Sequence, residues 1–356
     1  MSIFSAKWGK RGIALLFGIF FSFLVFELGL RAAQYFIPMP LLHDLGKRQL
    51  LIKNHLRKKP GRKNLGFKDH DFTLQKKHRI RVVALGDSFV YGIVPHKDNY
   101  WTLLEEWGVA QGLDIEILNM GVPGAGPVEY LSVLRHEALF FHPDAVVVSF
   151  FVGNDFLDTI PQPRSWADAL LTVRLFTNGK VFFESVRQPL LPAPVYRDGA
   201  ATFKEEAFLE IEKKRSINFG KESWKLKPRW PFVRAQLDEM IALCREKGIL
   251  IAFVLIPDQM QVDQDLQRQL SRKFPKDVLS EKMEWDAPNK LLRRYLSEQG
   301  VPYVDLLNAF RDRAGFYKPN DTHWNIAGNR FAAECIQPEF LRWIKGRAKP
   351  PEPSHA

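Results

Sequence analysis

The run Arg81-Val-Val-Ala-Leu85, followed at once by Gly86-Asp87-Ser88-Phe89, decides how this chain reads. A short apolar run rich in Val and ended by glycine is the pattern of a strand buried on both faces. Four more runs of the same texture follow: Asp114-Ile-Glu-Ile-Leu118, Asp144-Ala-Val-Val-Val-Ser-Phe-Phe151, Gly248-Ile-Leu-Ile-Ala-Phe-Val-Leu-Ile256 and Pro302-Tyr-Val-Asp-Leu306. Amphipathic helical patterns lie at Tyr100–Gln111, Pro127–Phe141, Pro231–Lys247, Pro288–Gln299 and Ile326–Trp343. Strands alternating with helices predict an α/β domain, a parallel sheet covered by helices on both sides. Such sheets carry their sites outside the carboxyl ends of the strands.

Around this domain, spanning 80–345, the chain divides further. Residues 159–229 are too long for a plain connection between strand and helix. They hold Trp166, Phe182, Phe183, Trp224 and a charged helical piece at Lys204–Lys214, and are expected to cap the carboxyl edge. Residues 346–356 carry three prolines and are expected to be a disordered tail. Of 356 residues, 46% are hydrophobic, enough for a sizeable core. Two cysteines, Cys244 and Cys335, exclude a disulfide-stapled mini-fold and leave the redox compartment open.

The N-terminus is of a different kind. Gly12–Phe26 has no charged residue, and its apolar character runs on to Leu30, broken only by Glu27. Residues 12–30 as a helix span about 28 Å, close to the hydrocarbon thickness of a bilayer. Glu27 is expected to reach the headgroup layer. Lys7, Lys10 and Arg11 also suit a cleaved signal peptide, but Glu27-Leu-Gly-Leu-Arg31-Ala-Ala is a poor cleavage site, which favours an uncleaved single-pass anchor after a short tail, 1–11. The first residues are assigned to the cytoplasm and the main domain to the extracytoplasmic side.

The net charge of +11 is local. Between Lys47 and Arg81 stand 13 basic residues against Asp69 and Asp71, leaving 38 of each sign elsewhere. Residues 31–79 therefore read as a basic juxtamembrane connector, either a solvated linker or a patch against lipid phosphates or an acidic polymer. Nucleic-acid binding through 47–81 is disfavoured, because no reader motif or interleaved aromatic accompanies the charge.

The residues with chemistry fall just past the strands. Ser88, at a strand-to-helix turn, exposes a hydroxyl suited to a nucleophile, although a serine there is also an ordinary helix cap. Asn119-Met-Gly-Val-Pro-Gly124 contains glycines that let a backbone amide approach a substrate oxygen; a tight turn before the Pro127 helix explains them equally. Asn154, in Gly153-Asn154-Asp155, offers a side-chain donor. Asp321 and His323 can join through the imidazole Nδ1, leaving Nε2 to take a proton from a hydroxyl. Asp87 and Asp155 read as loop hydrogen-bonding residues, and the nine histidines show no metal-ligand spacing.

Taken together, Gly86-Asp87-Ser88, Asn119 through Gly124, Gly153-Asn154-Asp155 and Asp321 with His323 resemble the four site-bearing blocks of the SGNH (GDSL-type) hydrolase superfamily. The likeness extends to its membrane-anchored members through Leu65-Gly66-Phe67-Lys68, with Asn64 before and Asp69 after, and through Phe253–Pro257. It implies a three-layer, flavodoxin-like sandwich around a five-stranded parallel sheet, with Ser88, His323 and Asp321 as a catalytic triad. It also implies an oxyanion hole from the N–H groups of Ser88 and Gly124 and the Asn154 amide. Trp324, Asp258 and Gln261 are candidate substrate-binding residues, each also explicable as packing or loop. No cofactor or metal is implied.

Many members place the aspartate three positions before the histidine, where this chain has Asn320; Asp-x-His-Trp is similar to the branch of alginate-type polysaccharide O-acetyltransferases. The resemblance thus implies a serine esterase acting on an acyl ester of an envelope glycan or glycolipid. The alternatives are an O-acyltransferase that delivers the acyl group to a sugar hydroxyl, and a non-catalytic binding module of the same fold.

Overall fold

A computed structural model of the chain describes residues 3–33, 66–78, 80–159, 170–177, 179, 195–220, 228–278 and 283–345. Five strands, β1 (Ile80–Gly86), β2 (Ile115–Gly121), β3 (Ala145–Phe151), β4 (Leu250–Ile256) and β5 (Tyr303–Asp305), form one parallel sheet in the order β2-β1-β3-β4-β5. Four of the five lie within two residues of the runs read from the sequence; β2 runs three residues further, through Asn119-Met-Gly121, which the sequence reading placed after the strand.

Alternation along the strands feeds two cores. Val83 and Leu85 of β1 point to one side, where helices Pro127–His136, Trp230–Glu246 and Ala287–Glu298 pack. Val82 and Ala84 point to the other, against helices Tyr100–Ala110 and Ile326–Lys345. Because β1 is buried on both faces, its side chains are almost all apolar, as a parallel interior strand requires. The first three strands create a topological switch: the chain leaves β1 for β2 on one side and returns to β3 on the other, opening a crevice at the carboxyl ends of β1 and β3.

The exception on β1 is Arg81, which is fully buried. Its guanidinium donates to Glu116 (2.8 Å) and to the Phe141 carbonyl (2.6 Å). Lys68 Nζ donates to the carbonyls of Gly92 (2.5 Å) and Val94 (2.6 Å), and Lys76 pairs with Asp144. These members of the basic stretch serve the domain's own fold. Phe67 and Phe72 are buried in the same core, so the domain's contacts begin upstream of Ile80. Asn64, Leu65 and most of the connector lie outside the described residues, as does the tail 346–356.

Within the long insertion, the charged piece forms helix Glu205–Arg215 and continues into a turn at Ser216–Phe219. Thr202 and Phe203 donate backbone N–H groups to the carbonyls of Pro319 and Asn320, and Asn218 donates to the Val152 and Gly153 carbonyls. The described insertion therefore sits on the carboxyl edge. Trp166, Phe182, Phe183 and Trp224 lie outside the described residues. Both cysteines are free.

Helix Ile3–Ala33 contains one segment, Gly12–Ala33, with a hydropathy of 2.4, long and apolar enough to cross a membrane. Its face is exposed at Ile13, Leu16, Phe17 and Phe20. Glu27, expected to reach the headgroup layer, is buried against the insertion, where its carboxylate accepts hydrogen bonds from Leu171 N (3.0 Å), Thr172 N (2.8 Å) and Thr172 Oγ1 (2.8 Å).

Candidate active site

Ser88 opens a single helical turn, Ser88–Tyr91, directly after β1. Asp87 caps that turn by accepting from Phe89 N at 2.9 Å, and its side chain is fully buried. Glycine is required at Gly121, where a Cβ would collide with the backbone of Tyr91. The turn can therefore lie flat against the end of β2.

His323 comes from the loop before helix Ile326–Lys345. Its Nε2 lies 2.7 Å from Ser88 Oγ, and its Nδ1 lies 2.6 Å from Asp321 Oδ1. The same Asp321 oxygen accepts from His323 N at 3.1 Å, and its second oxygen accepts from the Thr202 hydroxyl. Burial pushes the Asp321 carboxyl up, but the hydrogen bond and charge of His323, helped by Thr202, outweigh it and hold the group below its ordinary value. An ionised Asp321 keeps a proton on Nδ1, leaving Nε2 as the acceptor facing the hydroxyl. This arrangement can deprotonate Ser88 as the hydroxyl attacks an electrophile.

The donors expected around the serine have these positions. Gly124 sits in the loop after β2 at φ 71°, a left-handed conformation natural to glycine. That loop is tied to the end of β1 by Val122 N donating to Gly86 O at 2.9 Å. Asn154 precedes the turn Asp155–Asp158, with its amide beside the Asp87 carboxyl and its own Oδ1 buried. Two aspartates act as the loop residues expected. Asp155 accepts from Tyr130 OH (2.9 Å) and Phe151 N (3.0 Å); burial raises its carboxyl well above the ordinary range. Burial likewise pushes Asp87 up to about 6, against the opposing charges of His323 and Arg215.

The three candidate substrate-binding residues are interior, and Trp324 has the packing role also read for it. Trp324 is 1% exposed, stacked on Phe310 with centroids 5.0 Å apart and edge-on to Phe89 at 4.9 Å. It supports the ring of Phe89, which packs against His323 at 5.1 Å. Asp258 is fully buried and caps the turn Gln259–Val262 through Met260 N. Gln261 completes that capping box, and its amide donates to Trp285 O and Asn289 Oδ1. Asp258 Oδ1 and the Gln261 amide are engaged in this cap and its neighbours, and all three side chains are buried.

Two residues beside the site have no signal in the sequence. Thr202 reaches Asp321 from the insertion, and Asn218 Nδ2 grips the loop ahead of Asn154 at Val152 O (3.1 Å) and Gly153 O (3.0 Å). Beneath that loop, Glu212 shares the buried space with Asp258 and pairs with Arg215 at 2.8 Å. Desolvation and the neighbouring Asp258 raise the Glu212 carboxyl well above its ordinary value.

A serine and a histidine meeting at the switch point of a flavodoxin-like sheet define a hydrolase of the SGNH fold class. The chain belongs to the GDSL-like lipase/acylhydrolase family, which matches residues 84–331, and it is an enzyme of that class. Among solved structures it is similar to TesA (13% identity, covering 74% of this chain and 99% of that one, TM-score 0.42). It is also similar to a lipase/acylhydrolase from Enterococcus faecalis (17%, 77% and 99%, 0.38). A third is the acetyl xylan esterase AlAXEase (16%, 73% and 99%, 0.40). No curated protein matches the chain.

Proposed function

We propose that this enzyme is a membrane-anchored serine esterase that removes an acyl group, such as O-acetyl, from an envelope glycan or glycolipid. The observation that carries the reading is His323, held between the Ser88 hydroxyl and the Asp321 carboxylate. Ser88 Oγ attacks the ester carbonyl and forms an Oγ–C bond while His323 Nε2 takes its proton. The tetrahedral oxyanion is met by the N–H groups of Ser88 and Gly124 and by the Asn154 amide. His323 then returns the proton to the leaving alkoxide, and the C–O bond of the ester breaks. Water, deprotonated by the same imidazole, releases the acid and restores Ser88.

Residues 12–30 are the anchor in this reading, 31–79 the connector and 80–345 the catalytic domain, with the insertion 159–229 over its site. The domain lies on the extracytoplasmic side, periplasmic or at the cell surface, and the basic residues of 47–81 other than Lys68, Lys76 and Arg81 are those left to meet lipid phosphates. An anchored site sits where lipid-linked and envelope glycans are, which favours them over a freely diffusing ester. The spacing of Asp321 and His323 supports the second reading, transfer of the acyl group to a sugar hydroxyl.

The test is turnover of a panel of acyl esters by the full chain in detergent micelles, with and without sugar acceptors. Free acid released at a rate indifferent to sugar, and lost in Ser88→Ala, is the expected result. Acylated sugar forming faster than free acid assigns the transferase. Equal release by the Ser88→Ala variant overturns both.

A further inference from the structure

Glu27 is a carboxylate inside a helix long and apolar enough to cross a membrane. The anchor, residues 12–30 of the apolar segment Gly12–Ala33, is about 28 Å long at ~1.5 Å per residue, close to the hydrocarbon thickness, and Glu27 lies about 5 Å inside its outer end. In the anchored reading that depth is below the headgroups, where an unsatisfied carboxylate is strongly disfavoured. Its partners come from elsewhere in the chain. Arg31 donates to it at 2.9 Å, one helical turn on. The remaining donors are the backbone N–H groups of Leu171 and Thr172 and the Thr172 hydroxyl.

These donors begin the helical stretch 171–177 of the insertion. Its sequence, Leu171-Thr-Val-Arg-Leu-Phe-Thr177, is mostly apolar. Leu171 and Leu175 pack against Leu30 of the anchor helix. Phe176, on a different face, is 69% exposed. A segment clasped to Glu27 has to sit at the depth of Glu27. A phenylalanine left open there faces acyl chains, as in a helix lying at a bilayer boundary, roughly 5–10 Å deep.

We propose that residues 171–177 are a second membrane element, seated in the outer part of the bilayer, with Glu27 as the tether that keeps it there. The occupant of the exposed face is the lipid bilayer, because the segment that carries Phe176 is packed on Leu30 of the anchor helix and bound to its Glu27. The inference rests on residues 12–30 spanning the membrane. It adds that the insertion, which touches Asp321 through Thr202 further along, is fixed to the membrane itself. The site would then open close to the lipid surface, suited to an ester whose alcohol or acyl part is lipid-bound.

The test uses the full chain in phosphatidylcholine/phosphatidylglycerol vesicles. A Cys335→Ser background leaves only the buried Cys244, and single cysteines replace Phe176 or Phe20 for labelling with the environment-sensitive dye NBD. Both probes should emit blue-shifted light and be quenched by doxyl-labelled lipid. Adding Glu27→Leu should return the position-176 probe to water-like emission and leave the position-20 probe unchanged. A water-like probe at 176 beside a buried probe at 20 overturns the inference while the anchor stands. A position-176 probe indifferent to Glu27→Leu overturns the tether. Water-like emission at both positions overturns the anchor and the inference together.

Discussion

His323 Nε2 stands 2.7 Å from Ser88 Oγ, across 235 positions of sequence, and the sheet is what closes that gap. Ser88 rides on the end of β1, while His323 rides on a loop whose following helix, Ile326–Lys345, packs against Tyr100–Ala110 on the same face. Asn329 joins those two helices by accepting from Tyr100 N at 3.2 Å. The contact is therefore set by rigid elements, which is what proton transfer at hydrogen-bond distance needs.

Asn154 is expected to act only as charge develops on the oxygen. Its replacement by Ala should lower kcat by on the order of a hundredfold, the effect of losing one oxyanion donor, with little change in KM or melting temperature. Steady-state kinetics on an activated ester such as 4-nitrophenyl acetate measure this. A wild-type kcat would remove Asn154 from the site.

Thr202 should matter through Asp321 rather than through substrate. Thr202→Val removes a hydroxyl that donates to the carboxylate's second oxygen. A hydrogen bond to a charged group is worth roughly 1.5–3 kcal/mol, so kcat should fall about tenfold or more. Thr202→Ser keeps the donor and should restore most of the rate. KM should change little in both variants, and comparing kcat with KM across the three proteins checks this.

Asp87 predicts a pH dependence of stability. Its folded-state pKa of about 6 lies above the ordinary 3.8, so the folded chain holds that proton more tightly than the unfolded chain. The contribution is most favourable below pH 3.8 and is lost as pH rises through about 6, on the order of 3 kcal/mol in all. Asp87→Asn keeps the cap on Phe89 N but has no carboxyl to ionise. Melting temperatures from pH 4 to 8 should fall less steeply in this variant than in the wild type. Parallel curves would contradict the assignment.

The sheet was legible because a strand buried on both faces leaves an uninterrupted apolar run, as at Val146–Val148. Ser88 and Asn154 stood out for a related reason, since polar residues just beyond such runs fall on the carboxyl edge. Asp321 and His323 lie well past β5 in a loop before a helix, and their grouping with Ser88 rests on the resemblance of the four blocks. Thr202 and Asn218 left no trace, since a lone Thr or Asn in an insertion has no periodicity to mark its direction. For Trp324, Asp258 and Gln261, position at the edge left open which side of the loop each faces; ring stacking holds Trp324 inside, and capping holds Asp258 and Gln261. Arg81 and Glu27 show the same limit for charge. Each was read by its surroundings in sequence, and each is satisfied by groups brought from far away in it, Glu116 and Phe141 for one and Thr172 for the other.

Reaction of the full chain with a fluorophosphonate probe, followed by mass spectrometry of the modified peptide, tests the central claim most directly. One adduct is expected, on Ser88, formed quickly in the wild type, strongly slowed in His323→Ala and absent in Ser88→Ala. A folded wild-type protein that stays unlabelled, or carries the adduct on another residue, would contradict it.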